Sequence, residues 1–286
     1  MFGPNTYIKD KSSIQFSHRD TKFINLFKSV KNKFSQKFGL DDYDILFIPG
    51  SGTIGMESIF FSLKLSINVI GNEGVFKKKW EDFNNIYRNS NSTNIDLFCA
   101  LETSNSSIFE KKSSIVDAIS SFPYYRIPED TKIFATCSNK QIGSFPGLSI
   151  VAVRKDFWSN LKSADIFSYL NLSRYLDFGQ INQTPSTTPT QIFEHLEKTI
   201  DNFSISKLRE KINTNSQKVV NALGKENIIG ETQCPVITVN KDVVPLEIAQ
   251  KFNLYGSNTN SRYYQIFTYS CHDIDYDKFC ENITQR

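Results

Sequence analysis

Ile45-Leu46-Phe47-Ile48-Pro49-Gly50-Ser51-Gly52-Thr53 is the stretch that decides the fold. Four apolar residues make a short buried strand, Pro49-Gly50 breaks it, and the run from Met56 to Leu63 then reads as a helix. A strand feeding a helix through a glycine turn is the repeating unit of α/β domains. The N-terminus of such a helix suits a phosphate, because its unpaired N–H groups and its dipole point outward. Gly50 and Gly52 let the backbone come close, and the Ser51 and Thr53 hydroxyls add donors. The same residues also read as an ordinary turn capped by Thr53. No Lys follows Gly52, so this is not a Walker loop.

Outward from this turn the alternation continues. Residues 20–37 carry Phe23, Phe27, Val30 and Phe34 at three- and four-residue spacing, which predicts an amphipathic helix stopped at Gly39. Ser66–Ile70, Ile95–Leu101, Ser114–Ala118, Lys132–Ala135 and Ser149–Val153 read as strands, and Lys77–Tyr87 as a helix. Strands alternating with helices predict a mainly parallel sheet. After about residue 156 the character changes. Pro185 and Pro189 punctuate a Thr-rich loop; Gln191–Ile200 and Ser206–Leu223 read as helices, and Val236–Val239 and Tyr264–Phe267 as strands. Helical segments near 245–252 and 275–284 complete a smaller α+β domain. The expected division is 1–200 and 201–286.

Composition narrows the class. The 286 residues carry 33 basic and 30 acidic side chains, net +3, which is too balanced for a nucleic-acid partner. Five cysteines lie far apart at 99, 137, 234, 271 and 280 with no CxxC pair, which argues against a zinc site and a disulfide framework. A reducing cytoplasm is the expected compartment. The N-terminus lacks a signal-peptide pattern, and no apolar run approaches the ~20 residues that span a membrane.

Two further features carry chemistry. Ile115-Val116-Asp117-Ala118 puts a carboxylate at the end of an apolar strand, where it needs a partner or serves to cap the loop beyond. The protonated ring nitrogen of pyridoxal phosphate would be such a partner, and the Asp would keep the ring an effective electron sink. Cys137-Ser138-Asn139-Lys140-Gln141-Ile142-Gly143 puts a lysine in a polar loop between two buried strands, a position for a Schiff-base lysine or for an ordinary surface one. Phosphate loop, then Asp, then Lys, in that order on an α/β domain, is the order of a pyridoxal-phosphate site.

At this point the chain resembles the class V aminotransferases, of aspartate-aminotransferase fold type I, and within them the 2-aminoethylphosphonate–pyruvate aminotransferase branch. Phe2-Gly3-Pro4-Asn5 resembles the family's PGPT segment, which implies Asn5 in the substrate pocket. His18-Arg19-Asp20 with Phe23 is similar to HRxxxF, and Gly50-Ser51-Gly52-Thr53 with Glu57 to the GSGTxxxE phosphate loop. Gly74-Val75-Phe76 with Lys79-Trp80 resembles the segment whose aromatic residue stacks on the cofactor, a role implied for Phe76. Glu102-Thr103 resembles the pair whose Thr lies near the ring oxygen. Val116-Asp117-Ala118 with Ser120-Ser121-Phe122, and Ser138-Asn139-Lys140 with Pro146-Gly147, are the most specific matches. They imply Asp117 at the ring nitrogen, and Asn139 and Lys140 at the cofactor. Thr188-Pro189-Thr190 resembles a segment that reaches the phosphate of the partner subunit, which implies Thr190 as a cofactor ligand and a homodimer with shared active sites.

The resemblance implies a pyridoxal 5'-phosphate enzyme of phosphonate metabolism that moves an amino group from a small amine such as 2-aminoethylphosphonate to a small keto acid such as pyruvate. Its fold would be a mainly parallel large domain with a smaller α+β C-terminal domain. Two departures stand out. The chain is shorter than the family between Trp80 and Asp117. In Tyr264-Gln265-Ile266-Phe267-Thr268, Gln265 occupies the place of the family's substrate-binding Arg, and a neutral amide does not replace a bidentate guanidinium. Arg262 and Arg19 are the candidates to supply that charge. The altered anchor motivates a lyase or decarboxylase as the alternative reaction, and the shortened middle a catalytically silent binding relative.

Overall fold

The structure is a computed structural model that describes residues 16–89 and 93–285. Its elements are α1 (Thr21–Phe38), β1 (Tyr43–Pro49), α2 (Gly52–Ser62), β2 (Ser66–Val69), α3 (Val75–Ile86), β3 (Asn94–Cys99), β4 (Leu101–Glu102), β5 (Ser107–Ile108), β6 (Ile115–Asp117), β7 (Ile133–Cys137) and β8 (Leu148–Arg154). They continue as α4 (Leu172–Gln180), α5 (Thr190–Asn202), α6 (Ile205–Leu223), β9 (Ile228–Ile229), β10 (Val236–Asn240), α7 (Leu246–Lys251), β11 (Tyr263–Phe267) and α8 (Asp273–Thr284). Two compact units interleave along the chain. The first takes the residues up to Ser66, Tyr87–Asn94 and Thr131–Phe203; the second takes Ile67–Ile86, Ile95–Asp130 and the residues from Ser204 onward.

The first unit is built on β1, β8 and β7, with β8 central and antiparallel to both neighbours. β1 and β7 are therefore parallel to one another, and β8 is the reversed strand. Its apolar residues are all fully buried. On one side lies α1, whose Phe23, Phe27, Val30 and Phe34 are buried as their spacing predicts. The Phe27 ring meets Phe47 of β1 edge-on at 5.5 Å, and Phe193 of α5 lies 5.1 Å from Phe23. Such aromatic pairs add to the area they bury. Asp20 caps α1 through the Lys22 N–H, and Gly39 ends it at φ 65°, the left-handed conformation that glycine adopts without strain. α2 lies close on β8, since a Cβ at Gly55 would meet the Ser149 hydroxyl at 2.0 Å.

In the second unit β3 and β6 pair in parallel, with Leu97 opposite Ile115 and Cys99 opposite Asp117. The Ile70 N–H, just beyond β2, donates to the Leu97 carbonyl at 2.9 Å. The C-terminal segment of this unit holds a three-stranded antiparallel sheet, β11-β10-β9, with α6 and α8 packed together. Val219, Val236, Ile237, Val239, Tyr264 and Ile266 belong to its core. No helix among the described residues is long and apolar enough to cross a membrane.

The α/β reading with its mainly parallel sheet holds, with differences in detail. α2 begins at Gly52, four residues before the apolar run that announces it. α4 is absent from the expected elements, although Leu172, Tyr175 and Leu176 stand at helical spacing; of its residues Leu172, Tyr175 and Gly179 are buried. The strand expected over 95–101 is interrupted at Ala100, whose N–H donates to the Asp117 carbonyl at 2.9 Å.

Candidate functional site

The first unit brings two of the sequence signals together. Because β1 and β8 are antiparallel, the end of β1 and the start of β8 lie at the same edge, with Pro49 opposite Leu148. There the Gly50 N–H donates to the Gly147 carbonyl at 2.8 Å. Both glycines hold positive φ, 135° and 124°, which other residues rarely adopt. The Gly50–Thr53 turn is thus tied to the loop that carries Lys140, which runs from the end of β7 to the start of β8. Ser138 organises that loop. Its N–H donates to the Leu148 carbonyl at 3.0 Å, its hydroxyl to the Phe145 carbonyl at 2.6 Å, and its own carbonyl accepts the Ser144 N–H at 2.9 Å. Gly143, at φ 78°, closes a turn onto the Lys140 carbonyl. Lys140 is half-buried and Asn139 exposed.

Ser51 is the N-cap of α2, yet its hydroxyl makes no bond to the helix. Gly52 is buried and Thr53 half-buried. The Ser51 hydroxyl and the first amides of α2 are available to an anion. α5 backs the lysine loop: a Cβ on Gly147 would lie 2.8 Å from Ile192, and the His195 ring stacks on Phe145 at 3.9 Å with Nδ1 3.0 Å from the Ser144 hydroxyl. Thr190 opens α5. Its hydroxyl oxygen is buried and has no hydrogen-bond partner among the described residues. Arg19 lies elsewhere on this unit. Its guanidinium donates to the Gln183 side-chain oxygen and sits over the Phe178 ring at 5.1 Å.

The second unit holds the acid. Asp117 is 3% exposed. Its Oδ2 accepts the Trp80 indole N–H at 3.0 Å and its Oδ1 the Ile119 backbone N–H at 3.0 Å. Burial pushes its carboxyl up to about 6, with the Glu102 charge adding to the rise, while the Ile119 N–H, the Cys99 thiol and the Trp80 N–H oppose it. Among the described residues no cation pairs with it. Burial and the neighbouring carboxylates hold the Cys99 thiol well above its ordinary range, so it stays protonated beside Asp117.

α3 presents Phe76 from its first turn, 6.2 Å from the Trp80 ring, with the Lys79 ammonium 5.2 Å over the Phe76 face. The buried Glu102 carboxylate anchors this turn by accepting the N–H groups of Phe76 at 2.9 Å and Lys77 at 3.2 Å, and also the Ser104 hydroxyl at 2.6 Å. Negative charge at a helix N-terminus is favourable on both counts, dipole and unpaired donors. Gly74 makes the approach feasible, since a Cβ there would lie 2.1 Å from the Glu102 carboxyl carbon. Thr103 is buried, and its carbonyl faces the Thr238 hydroxyl at 3.4 Å. Thr238 stands directly opposite Gln265 in the β10–β11 register, and its hydroxyl lies 2.6 Å from that of Ser106. Directly opposed residues share a face, so Gln265 lies on the face that meets the Thr103–Ser106 loop. Gln265 also lines a cavity of about 330 Å³ with Tyr255, Phe267 and Tyr276. Arg262 is exposed, one residue short of β11, with its guanidinium 5.7 Å from the Tyr263 ring. Asn5 lies outside the described residues.

Sequence reading missed Trp80 as the donor to Asp117 and Glu102 as the anchor of α3. The signals were present: a buried indole N–H and a buried carboxylate each need a partner.

Neither protein-family models nor curated proteins match this sequence. Solved structures do. A phosphoserine aminotransferase from Cytophaga hutchinsonii superposes with a TM-score of 0.77 at 16% identity, covering 95% of this chain and 91% of that one. Ureidoglycine–glyoxylate aminotransferase from Bacillus subtilis gives 0.78 at 14% identity, over 96% and 87%. Pyridoxal-phosphate-bound phosphoserine aminotransferase from Trichomonas vaginalis gives 0.76 at 14%, over 94% and 90%. The chain has the fold of these aminotransferases.

Proposed function

We propose that the chain is a pyridoxal 5'-phosphate-dependent aminotransferase that moves an amino group from a small amine, of the 2-aminoethylphosphonate kind, to a small keto acid such as pyruvate. The observation that carries this reading is the Gly50–Gly147 hydrogen bond, which ties the Gly50–Thr53 turn to the Lys140 loop. The residues present fit the cofactor. An N-cap hydroxyl with no bond to its helix and a Thr190 hydroxyl without a partner among the described residues suit a phosphate, and a buried carboxylate with no cation beside it among those residues suits a protonated ring nitrogen.

In this reading Ser51, Gly52 and Thr53 bind the phosphate through backbone N–H groups and hydroxyls. Lys140 would hold the cofactor covalently, and its freed amine would be the base that moves the proton of the donor carbon. Asp117 accepts the ring N–H and keeps that nitrogen protonated. Phe76 would offer a flat apolar face to the ring, and Thr103 and Asn139 would help hold the cofactor. When bound, pyridoxal phosphate supplies the electron sink for charge developing at the donor carbon. Thr190 serves the phosphate of a second copy, in a homodimer with shared sites. Asn5, Gln265 and one of Arg19 or Arg262 contact the substrate.

A second reading keeps the cofactor and replaces transamination with a lyase or decarboxylase reaction. The neutral Gln265, buried where the resemblance expects a guanidinium, favours it. A visible absorbance scan tests both. The cofactor band should bleach on adding 2-aminoethylphosphonate and return with pyruvate, and Lys140→Ala should lack the band. A band that ignores the amine, or amine conversion without a keto acid, rejects transamination. A normal band in Lys140→Ala rejects the lysine assignment.

A further inference from the structure

Asp117 is a carboxylate in an apolar setting that function requires to be charged, and burial works against that charge. The groups that face it decide the outcome. From β3 comes the Cys99 thiol, from β4 the Glu102 carboxylate, from the turn after β6 the Ile119 N–H, and from α3 the Trp80 indole. Glu102 is repulsive, although it is committed to the α3 N-terminus and Ser104. Cys99 is a weak donor. The Ile119 N–H is a backbone group that any residue at that position supplies. Among the described residues Trp80 alone is a strong side-chain donor to it, placed on the acid from 37 residues away.

We propose that Trp80 is a positioning residue whose indole N–H fixes the rotamer of Asp117 and favours its ionised form. The cofactor side of this proposal rests on the function read above; the Trp80–Asp117 coupling does not. The indole is fully buried, with Phe76 at 6.2 Å and Phe83 at 5.7 Å. α3 therefore carries both the aromatic residue read as the ring's stacking partner and the group that holds the ring nitrogen's partner. Glu102 anchors the first turn of the same helix, so the two features are set together. A carboxylate has about four lone-pair sites. The Trp80 and Ile119 N–H groups occupy two of these sites, while the Cys99 S–H is donated to the Leu101 carbonyl at 3.2 Å, which leaves room for a ring N–H.

Trp80 also packs, so the test must read something packing does not move. In the wild-type protein without cofactor, the Trp80 indole N–H resonance is followed by nuclear magnetic resonance across pH. It should titrate with Asp117, with a midpoint near its value of about 6. Trp158, which donates to Asp44 at 2.7 Å, serves as the control indole. A Trp80 resonance that does not move through this range overturns the proposal without any variant. In Trp80→Phe the upper edge of the pH window over which Asp117 affects stability should move up by about one to two units, the worth of one hydrogen bond to a charged group, while the lower edge stays. That shift should vanish when Trp80→Phe is made in Asp117→Asn. An unchanged window in folded Trp80→Phe overturns the proposal; if the variant does not fold, the wild-type titration decides. With pyridoxal phosphate added, Trp80→Phe should bind it roughly tenfold or more weakly. If the wild type itself shows no cofactor band, the functional reading fails, while the wild-type titration still decides whether Trp80 and Asp117 are coupled.

Discussion

Replacing Asp117 by Asn should stabilise the cofactor-free protein at alkaline pH while abolishing tight cofactor binding. The argument starts from the buried carboxyl, whose pKa is raised from 3.8 to about 6. The folded state thus holds a proton more tightly than the unfolded state does. The contribution of Asp117 is full below about pH 3.8, falls as pH rises toward 6, and stays lost above it. A rise of roughly two units at about 1.4 kcal/mol each makes this loss about 3 kcal/mol. That is a large share of the stability of an ordinary domain, about 5–15 kcal/mol. Asn resembles the protonated acid in shape and hydrogen-bonding capacity and never ionises. Urea unfolding of wild type and variant at about pH 4.5 and about pH 8 measures the effect as a difference of differences, which cancels any steric cost of the amide. About 1 kcal/mol of the loss is already present at about pH 4.5, so the variant should gain about 2 kcal/mol relative to wild type between the two conditions. Equal differences at both pH values, or a relative loss at the higher one, would refute the reasoning that an unpaired charge is buried there. In the function proposed above, a cationic ring N–H on Asp117 would offset this cost.

Thr190→Val removes a buried hydroxyl that has no partner among the described residues, so the cofactor-free protein should be unchanged or up to about 1 kcal/mol more stable in thermal unfolding. Its affinity for pyridoxal phosphate should nevertheless fall, and a fall in stability would show that the hydroxyl has a structural partner instead. Gly74→Ala puts a Cβ 2.1 Å from the Glu102 carboxyl carbon and must push that carboxylate off the α3 N-terminus. The expected cost is about 2–4 kcal/mol in chemical unfolding, and adding Glu102→Ala to it should cost little more, because the capping interaction is already gone.

By itself the sequence determined which residues end the strands, and in what order. Phe23, Phe27, Val30 and Phe34 had to form a buried helical face because their spacing follows the helical period, and all four do. The glycine turn after β1, the acid ending β6 and the lysine loop after β7 were legible because each interrupts an apolar run with residues that a strand interior does not tolerate. Tertiary structure decided the rest. Nothing in the composition of Leu148–Arg154 says that it runs against β1 and β7, yet that reversal brings Gly147 to Gly50, 97 positions away. Trp80 donates to Asp117 and Glu102 caps α3 because the chain places α3 against the ends of β4 and β6. Periodicity records what a segment buries, since that depends on its own residues. It does not record which distant group satisfies a buried charge, since that partner is chosen by strand direction and helix packing.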